Sequence, residues 1–161
     1  MDSVTRMISQ GQLRTQREIC RKINEHFQAR GVMPVAFVHT YGCQQNEADS
    51  ERIRGILDAC GYRIGTNAEG ADLIVLNTCA IREHAETRVY GNVGALIHGK
   101  RRHPGQKIFL CGCMMGEPHA VEKIRKSYRH VDGAFNPHAL WRFPELLFTV
   151  LTEGGRVFAT E

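Results

Sequence analysis

Apolar residues recur along this chain with two different periods. From Gln12 to Ala29, Leu13, Cys20, Ile23 and Phe27 fall at helical spacing until Gly31 and Pro34 stop the pattern, which predicts an amphipathic N-terminal helix. Beyond it, short runs rich in β-branched residues alternate with longer stripes of period 3.6. The runs "VAFVHT" (35–40), "ADLIVLNT" (71–78) and "KIFLCG" (107–112) predict buried strands, and "HVDGAF" (130–135) a shorter fourth. After the first strand, Ala48, Ile53, Leu57 and Cys60 share one helical face, with Asn46 as N-cap and Asp49 three residues on. Ala85, Val89, Val93 and Leu96 make the next stripe. Pro118 suits the first turn of a helix carrying Val121 and Ile124. The segment "PHALWRFPELLFTVL" predicts a closing helix interrupted at Pro144, and "RVFAT" a last strand or the start of a linker.

Strands separated by helices of this length imply a parallel sheet with right-handed crossovers. Strands without polar alternation imply that both faces are covered. The fold expected is therefore α/β, a doubly wound parallel sheet in a three-layer sandwich of the Rossmann/flavodoxin kind, with an N-terminal helix in addition. Sites in such folds lie outside the carboxyl ends of the strands. The 161 residues suffice for one domain, and 42% hydrophobic with 24% charged residues is ordinary for a globular protein. A net charge of +4 permits a polyanionic partner without demanding one. No run approaches the ~18 apolar residues of a membrane span. The N-terminus lacks the apolar core of a secretory signal, so the expectation is a cytoplasmic protein without a membrane partner. There, six cysteines read as core residues, redox thiols or metal ligands before disulfides.

Three of those cysteines occupy equivalent places. Cys43, Cys79 and Cys113 each follow a predicted strand, so a parallel sheet carries all three to one rim. Three thiolates from separate strand ends suit a soft metal or an iron–sulfur cluster better than a closed zinc site, which takes four ligands and usually a Cys-x-x-Cys pair. Three protein ligands on a 4Fe–4S cluster leave one iron open to a further ligand. The competing readings stay open on topology alone. A strand-end cysteine is often simply core, and the chain is then a non-catalytic α/β binding module with core or zinc-bound thiols. Cys20 and Cys60 lie on helical apolar faces and read as core. Cys111 is expected to point the same way as Cys113 but deeper in the strand, also as core; a redox pair of the two bridges poorly. The positions six residues after the three thiols hold Asp49, Ala85 and His119, not the Arg of a phosphatase loop. Nothing aims His39 or His84 at a nucleophilic Cys, and no Gly-rich nucleotide fingerprint appears.

The stretches "HTYGCQQNEADSE", "ADLIVLNTCAIREHAETRVYGNVG" and "FLCGCMMGEP" resemble the N-terminal domain of the radical S-adenosylmethionine methylthiotransferases, from about Phe37 to about Leu147. The resemblance implies that Cys43, Cys79 and Cys113, rather than Cys111, hold an auxiliary 4Fe–4S cluster. "YGCQQN" and "NTCAIREHAE" are most similar to the branch acting on isopentenyladenosine beside the tRNA anticodon, in which Gln45 is more often Met. In the implied reaction a second 4Fe–4S cluster cleaves S-adenosylmethionine, hydrogen leaves carbon 2 of the adenine, and the auxiliary cluster supplies sulfur that a second S-adenosylmethionine methylates. The Cys-x-x-x-Cys-x-x-Cys motif of the radical domain and the RNA-binding domain have no counterpart here. The implied division is therefore an extension over 1–34, a cluster-binding domain over 35–152, and the start of a linker over 153–161 toward a radical S-adenosylmethionine domain of the same natural chain. Implied partners are that domain and tRNA, the chain being a monomer and inactive alone. Thr40, Tyr41, Gly42 and Gln44 are expected to shape the first loop, and Asn77 and Thr78 the second. Gln45 and Asn46 face substrate or cap the helix, with the cap preferred for Asn46. Arg82 and Glu83 flank Cys79. The basic run from His98 to Lys107 reads as a solvated helix end, where cations favour the dipole, in preference to a phosphate contact.

Overall fold

The computed structural model describes residues 8–42, 44–79 and 83–161, without the side chains of residues 45 and 83–85. Helix α1 (Gln10–Ala29) starts earlier than its apolar stripe because Ser9 and Gln12 form a reciprocal cap. Gln12 N donates to Ser9 Oγ at 3.0 Å, and Ser9 N donates to Gln12 Oε1 at 2.8 Å. The chain continues as β1 (Val35–Thr40), α2 (Gln44–Ala59), β2 (Arg63–Ile64), β3 (Leu73–Thr78), α3 (Glu83–Arg102), β4 (Lys107–Gly112), a 3-10 turn (Cys113–Gly116) and α4 (Pro118–Ser127). It ends with β5 (Gly133–Phe135), a 3-10 helix (Pro137–Arg142), α5 (Phe143–Glu153) and β6 (Val157–Ala159). The apolar runs thus become the strands that their composition predicts, and "RVFAT" contributes a strand. The two-residue β2 has no hydrophobic run to announce it. Pro144 does not interrupt the closing helix; it sits in the first turn of α5, where its missing N–H removes no bond.

All six strands are parallel, in the order β2-β1-β3-β4-β5-β6. The order of the first five strands is that of flavodoxin-like sheets, with the direction of winding reversing between β1 and β3. Alternate residues divide the core. Leu73, Val75, Phe109, Cys111 and Phe135 face α1, α2 and α5. Ile74, Leu76, Ile108, Leu110 and Ala134 face α3 and α4. One crossover departs from expectation. The β5–α5–β6 connection advances across the sheet in the same direction as β3–α3–β4, yet α5 packs on the opposite face, so its hand is opposite. The physical reason lies in what α5 covers. Phe109 and Phe135 would face water without Phe143, whose ring centroid lies 5.3 and 5.1 Å from theirs. Among the described residues no helix is long and apolar enough to cross a membrane.

The edge of the sheet where strands begin is held by charge. Asp72 Oδ2 accepts from Val35 N at 2.8 Å, and its Oδ1 meets His103 Nε2 at 3.1 Å. Asp132 repeats the device two strand pairs along: Oδ2 accepts from Ile108 N at 2.9 Å and from Lys100 Nζ at 2.6 Å. The basic run at the end of α3 is therefore engaged with the sheet edge through Lys100 and His103, on the side away from Cys79 and Cys113. Asp132→Ala leaves the Ile108 amide without its acceptor and the Lys100 ammonium with His130 O but no counter-charge. It should lower the unfolding free energy by about 2–4 kcal/mol, read from the urea midpoint, and Asp132→Asn should lower it by less.

Candidate metal centre

The opposite edge carries the thiols. Cys79 directly follows β3 and is buried at 4% exposure; Cys113 opens the 3-10 turn after β4 and is exposed. Thr78 pairs with Gly112, so each thiol stands one residue beyond a paired position on neighbouring strands. Cys43, expected as the third member of the rim, lies outside the described residues, as do Arg82 and the side chains of Gln45 and Glu83. Its neighbours are described. Gly42 has φ +97°, and a Cβ there would sit 2.7 Å from Cys79 Cβ and 2.9 Å from its Sγ. The residue before Cys43 thus lies directly against the Cys79 thiol, at the point where the winding reverses.

Gly112 makes the second close approach. At φ +94°, its Cβ would fall 2.6 Å from Asn77 Oδ1 and 2.7 Å from Thr78 N. Only a residue without a side chain fits at either place. Gly112 also sets the direction of Cys113. Strand alternation would put Cys113 on the face of Cys111, but the turn at Gly112 ends the extended backbone and turns Cys113 out to solvent. Cys111 stays in the core, where burial pushes its thiol well up and the charge of Asp49 adds to the effect. The expectation that the two thiols point the same way is corrected, and that of a core Cys111 is met. Cys20 and Cys60 are buried together between α1 and the end of α2.

A network of uncharged groups joins the three strand ends. Asn77 Nδ2 donates to Asn46 O at 2.7 Å and to Ser50 Oγ at 3.0 Å. Asn46 Nδ2 donates to Thr78 O at 2.8 Å. Thr78 Oγ1 donates to Cys111 O at 2.5 Å, and the Thr40 and Ser50 hydroxyls lie 2.6 Å apart. Asn46 is not the cap of α2, which begins at Gln44; it is a clasp between loops. Sequence reasoning placed Asn77 and Thr78 at the rim and missed Ser50. The signal was available: Asn46, Ser50, Ile53, Leu57 and Cys60 share one helix face, and all are buried, whereas Ala48 is exposed. A search for apolar stripes passes over polar members.

The site favours negative charge. Helix α2 begins one residue after Cys43, α3 four after Cys79, and α4 five after Cys113, so three positive helix ends lie toward the rim. Further out, Glu86 Oε1 accepts from Tyr90 Oη at 3.2 Å and meets His119 Nε2 at 3.0 Å, tying α3 to α4. Tyr41 accepts from Asn92 Nδ2 at 2.6 Å, and burial raises its hydroxyl above the usual range. Among the described residues no three His, Cys, Asp or Glu side chains form a metal-binding group. Cys79 and Cys113 are soft donors at adjacent strand ends, and the end of the β1 loop lies against the first of them.

Residues 35–136 match the family described as "Uncharacterized protein family UPF0004". The chain belongs to this family. The matched segment runs from the start of β1 to just past β5 and so holds the whole rim. The chain is also 48% identical over 130 residues to the tRNA-2-methylthio-N(6)-dimethylallyladenosine synthase of Clostridioides difficile, covering 81% of this chain and 27% of the relative. The enzyme of the same description from Alkaliphilus oremlandii is 51% identical over 126 residues, with 78% and 27% covered. That from a Thermoanaerobacter strain is 39% identical over 144 residues, with 89% and 30% covered. The chain thus spans little more than a quarter of the length of these relatives.

The close approach at Gly112 makes a local prediction. Gly112→Ala forces backbone apart at Thr78 and imposes an unfavourable φ, so it should cost about 1–3 kcal/mol in chemical unfolding. It should also shift the Asn77 side-chain amide resonances, because Asn77 Oδ1 is in the path of the new methyl group.

Proposed function

We propose that this chain is the auxiliary cluster-binding part of a tRNA methylthiotransferase acting on dimethylallyladenosine, with residues 35–152 as the binding unit, 1–34 as an extension and 153–161 leading toward the rest of the protein. The observation that carries the reading is the rim at the reversal of winding, where Gly42 lies on Cys79 and Gly112 on Thr78, in a chain nearly half identical to a synthase of that description. Cys43, Cys79 and Cys113 are the proposed ligands of a 4Fe–4S cluster. Held by three protein thiolates, such a cluster would supply the sulfur to be inserted. A second cluster, S-adenosylmethionine binding and most of the RNA contact belong to the part of the protein outside this chain. The proposed setting is cytoplasmic.

The residues of this chain have positioning roles. Asn77 and Asn46 hold the β1 and β3 loops at fixed separation, and Thr78 fixes β3 to β4. Because these groups are neutral, they hold the thiol loops without adding negative charge beside thiolates, which would raise their pKa. Helix ends α2, α3 and α4 supply compensating positive potential.

Anaerobic reconstitution with ferrous iron and sulfide tests the reading. The wild-type chain should develop broad brown absorbance with iron and acid-labile sulfide in equal amounts. Cys43→Ala, Cys79→Ala and Cys113→Ala should each lose most of it, and Cys20→Ala should not. Zinc without sulfide, or equal iron uptake by the triple variant, would overturn the proposal.

A further inference from the structure

Two thiols that the rim does not use meet under the N-terminal helix. Cys20, Asn24 and Phe27 share one face of α1 at helical spacing. The turn that ends α2 runs along that face in the same order. A Cβ on Gly61 would sit 2.5 Å from Asn24 Oδ1, and the Tyr62 ring centroid lies 5.2 Å from that of Phe27. Cys60, the residue before Gly61, is thereby set against Cys20, one turn before Asn24. The two side chains are hydrogen-bonded, with Cys60 as the donor. Both are free thiols.

Their surroundings differ. Cys60 is fully buried. Cys20, 6% exposed, stands in the wall of a cavity of about 870 Å³ bounded by α1, α2 and the 3-10 helix before α5. A reagent of a few atoms reaches Cys20 from this cavity, whereas Cys60 is reached only by way of Cys20. The hydrogen bond from Cys60 holds the Cys20 thiol below its usual range, and the same bond, with burial, pushes that of Cys60 well up. The thiolate is the form that reacts. The accessible member of the pair is therefore also the one that ionises more readily.

We propose that Cys20 and Cys60 are a peroxide-oxidised, reversible dithiol, in which Cys20 attacks the oxidant and Cys60 resolves the product. The Cys20 thiolate attacks one oxygen of the peroxide and the O–O bond breaks. The sulfur becomes a sulfenic acid, and the other oxygen leaves as hydroxide and takes up the Cys20 proton as water. The Cys60 sulfur then attacks the Cys20 sulfur. The S–S bond forms, and the sulfenic oxygen leaves with the Cys60 proton as a second water. Two thiols and one peroxide give one disulfide and two waters, the sulfurs losing the two electrons that the peroxide gains. The bond closes a loop containing β1, Cys43 and α2, and fixes α1 to the end of α2. The inference uses none of the rim thiols as reactants, so it stands or falls apart from the cluster proposal.

Hydrogen peroxide, added in small molar excess to the reduced whole chain, is the test, read by alkylation of the remaining thiols and peptide mass mapping. A Cys20–Cys60 linked peptide should appear and should vanish with dithiothreitol, while Cys111, buried without a thiol partner, should stay reduced. The oxidised chain should unfold about 5–10 °C higher than Cys60→Ser treated in the same way. In Cys60→Ser, Cys20 has no resolving thiol and should climb to sulfinic acid. In Cys20→Ser, Cys60 should stay reduced. The mapping of the unsubstituted chain decides the matter even where a variant folds poorly. Oxidation of the exposed Cys113 with no Cys20–Cys60 link, oxidation of Cys60 at an unchanged rate in Cys20→Ser, or a link that leaves the unfolding midpoint in place overturns the proposal.

Discussion

The structure depends on how closely β1, β3 and β4 approach one another at their carboxyl ends. Gly42 rests on Cys79, and Gly112 rests on the Asn77–Thr78 backbone, both at distances that exclude any side chain. Parallel pairing brings the strands to ladder spacing, but it says nothing about the loops beyond. Two glycines at positive φ carry the proximity past the last paired residues. Without it the segments leading to Cys43, Cys79 and Cys113 would diverge as three ordinary βα loops.

Those loops then need holding, and the chain does it with amides and hydroxyls. Asn46, Ser50, Asn77 and Thr78 are all buried, and each is hydrogen-bonded. At the other edge the same task falls to Asp72, Asp132, Lys100 and His103. The contrast has an electrostatic reason. A carboxylate among thiolates would oppose their ionisation, whereas at the far edge it meets the cations that the carboxyl end of α3 favours.

Much of this was legible in the sequence, for reasons that also mark the limits. Strands buried on both faces write themselves as apolar runs, and β1, β3 and β4 fall within them. The rim positions of Cys79 and Cys113 follow from that alone. Three features were not legible. The direction of Cys113 depends on one dihedral angle at Gly112. The clasp formed by Asn46 looks in sequence like a cap, because an Asn ahead of an apolar stripe is a common helix start and only the partner loop distinguishes the two. The hand of the β5–α5–β6 crossover is set by which face needs covering, and Phe109, Phe135 and Phe143 reveal that only once they are together in space.

These cases share a cause. Local periodicity reports whether a residue is buried, not what it meets there. The stripe of α2 shows it best: Asn46, Ser50, Ile53, Leu57 and Cys60 have one periodicity, yet the first two make the rim and the last three make the core. A helix that emerges from the site end of a sheet must change from polar to apolar along a single buried face. A buried polar pair at i, i+4 just after a strand, continued by apolar residues in phase, is therefore the pattern to seek where a thiol loop is clasped from within.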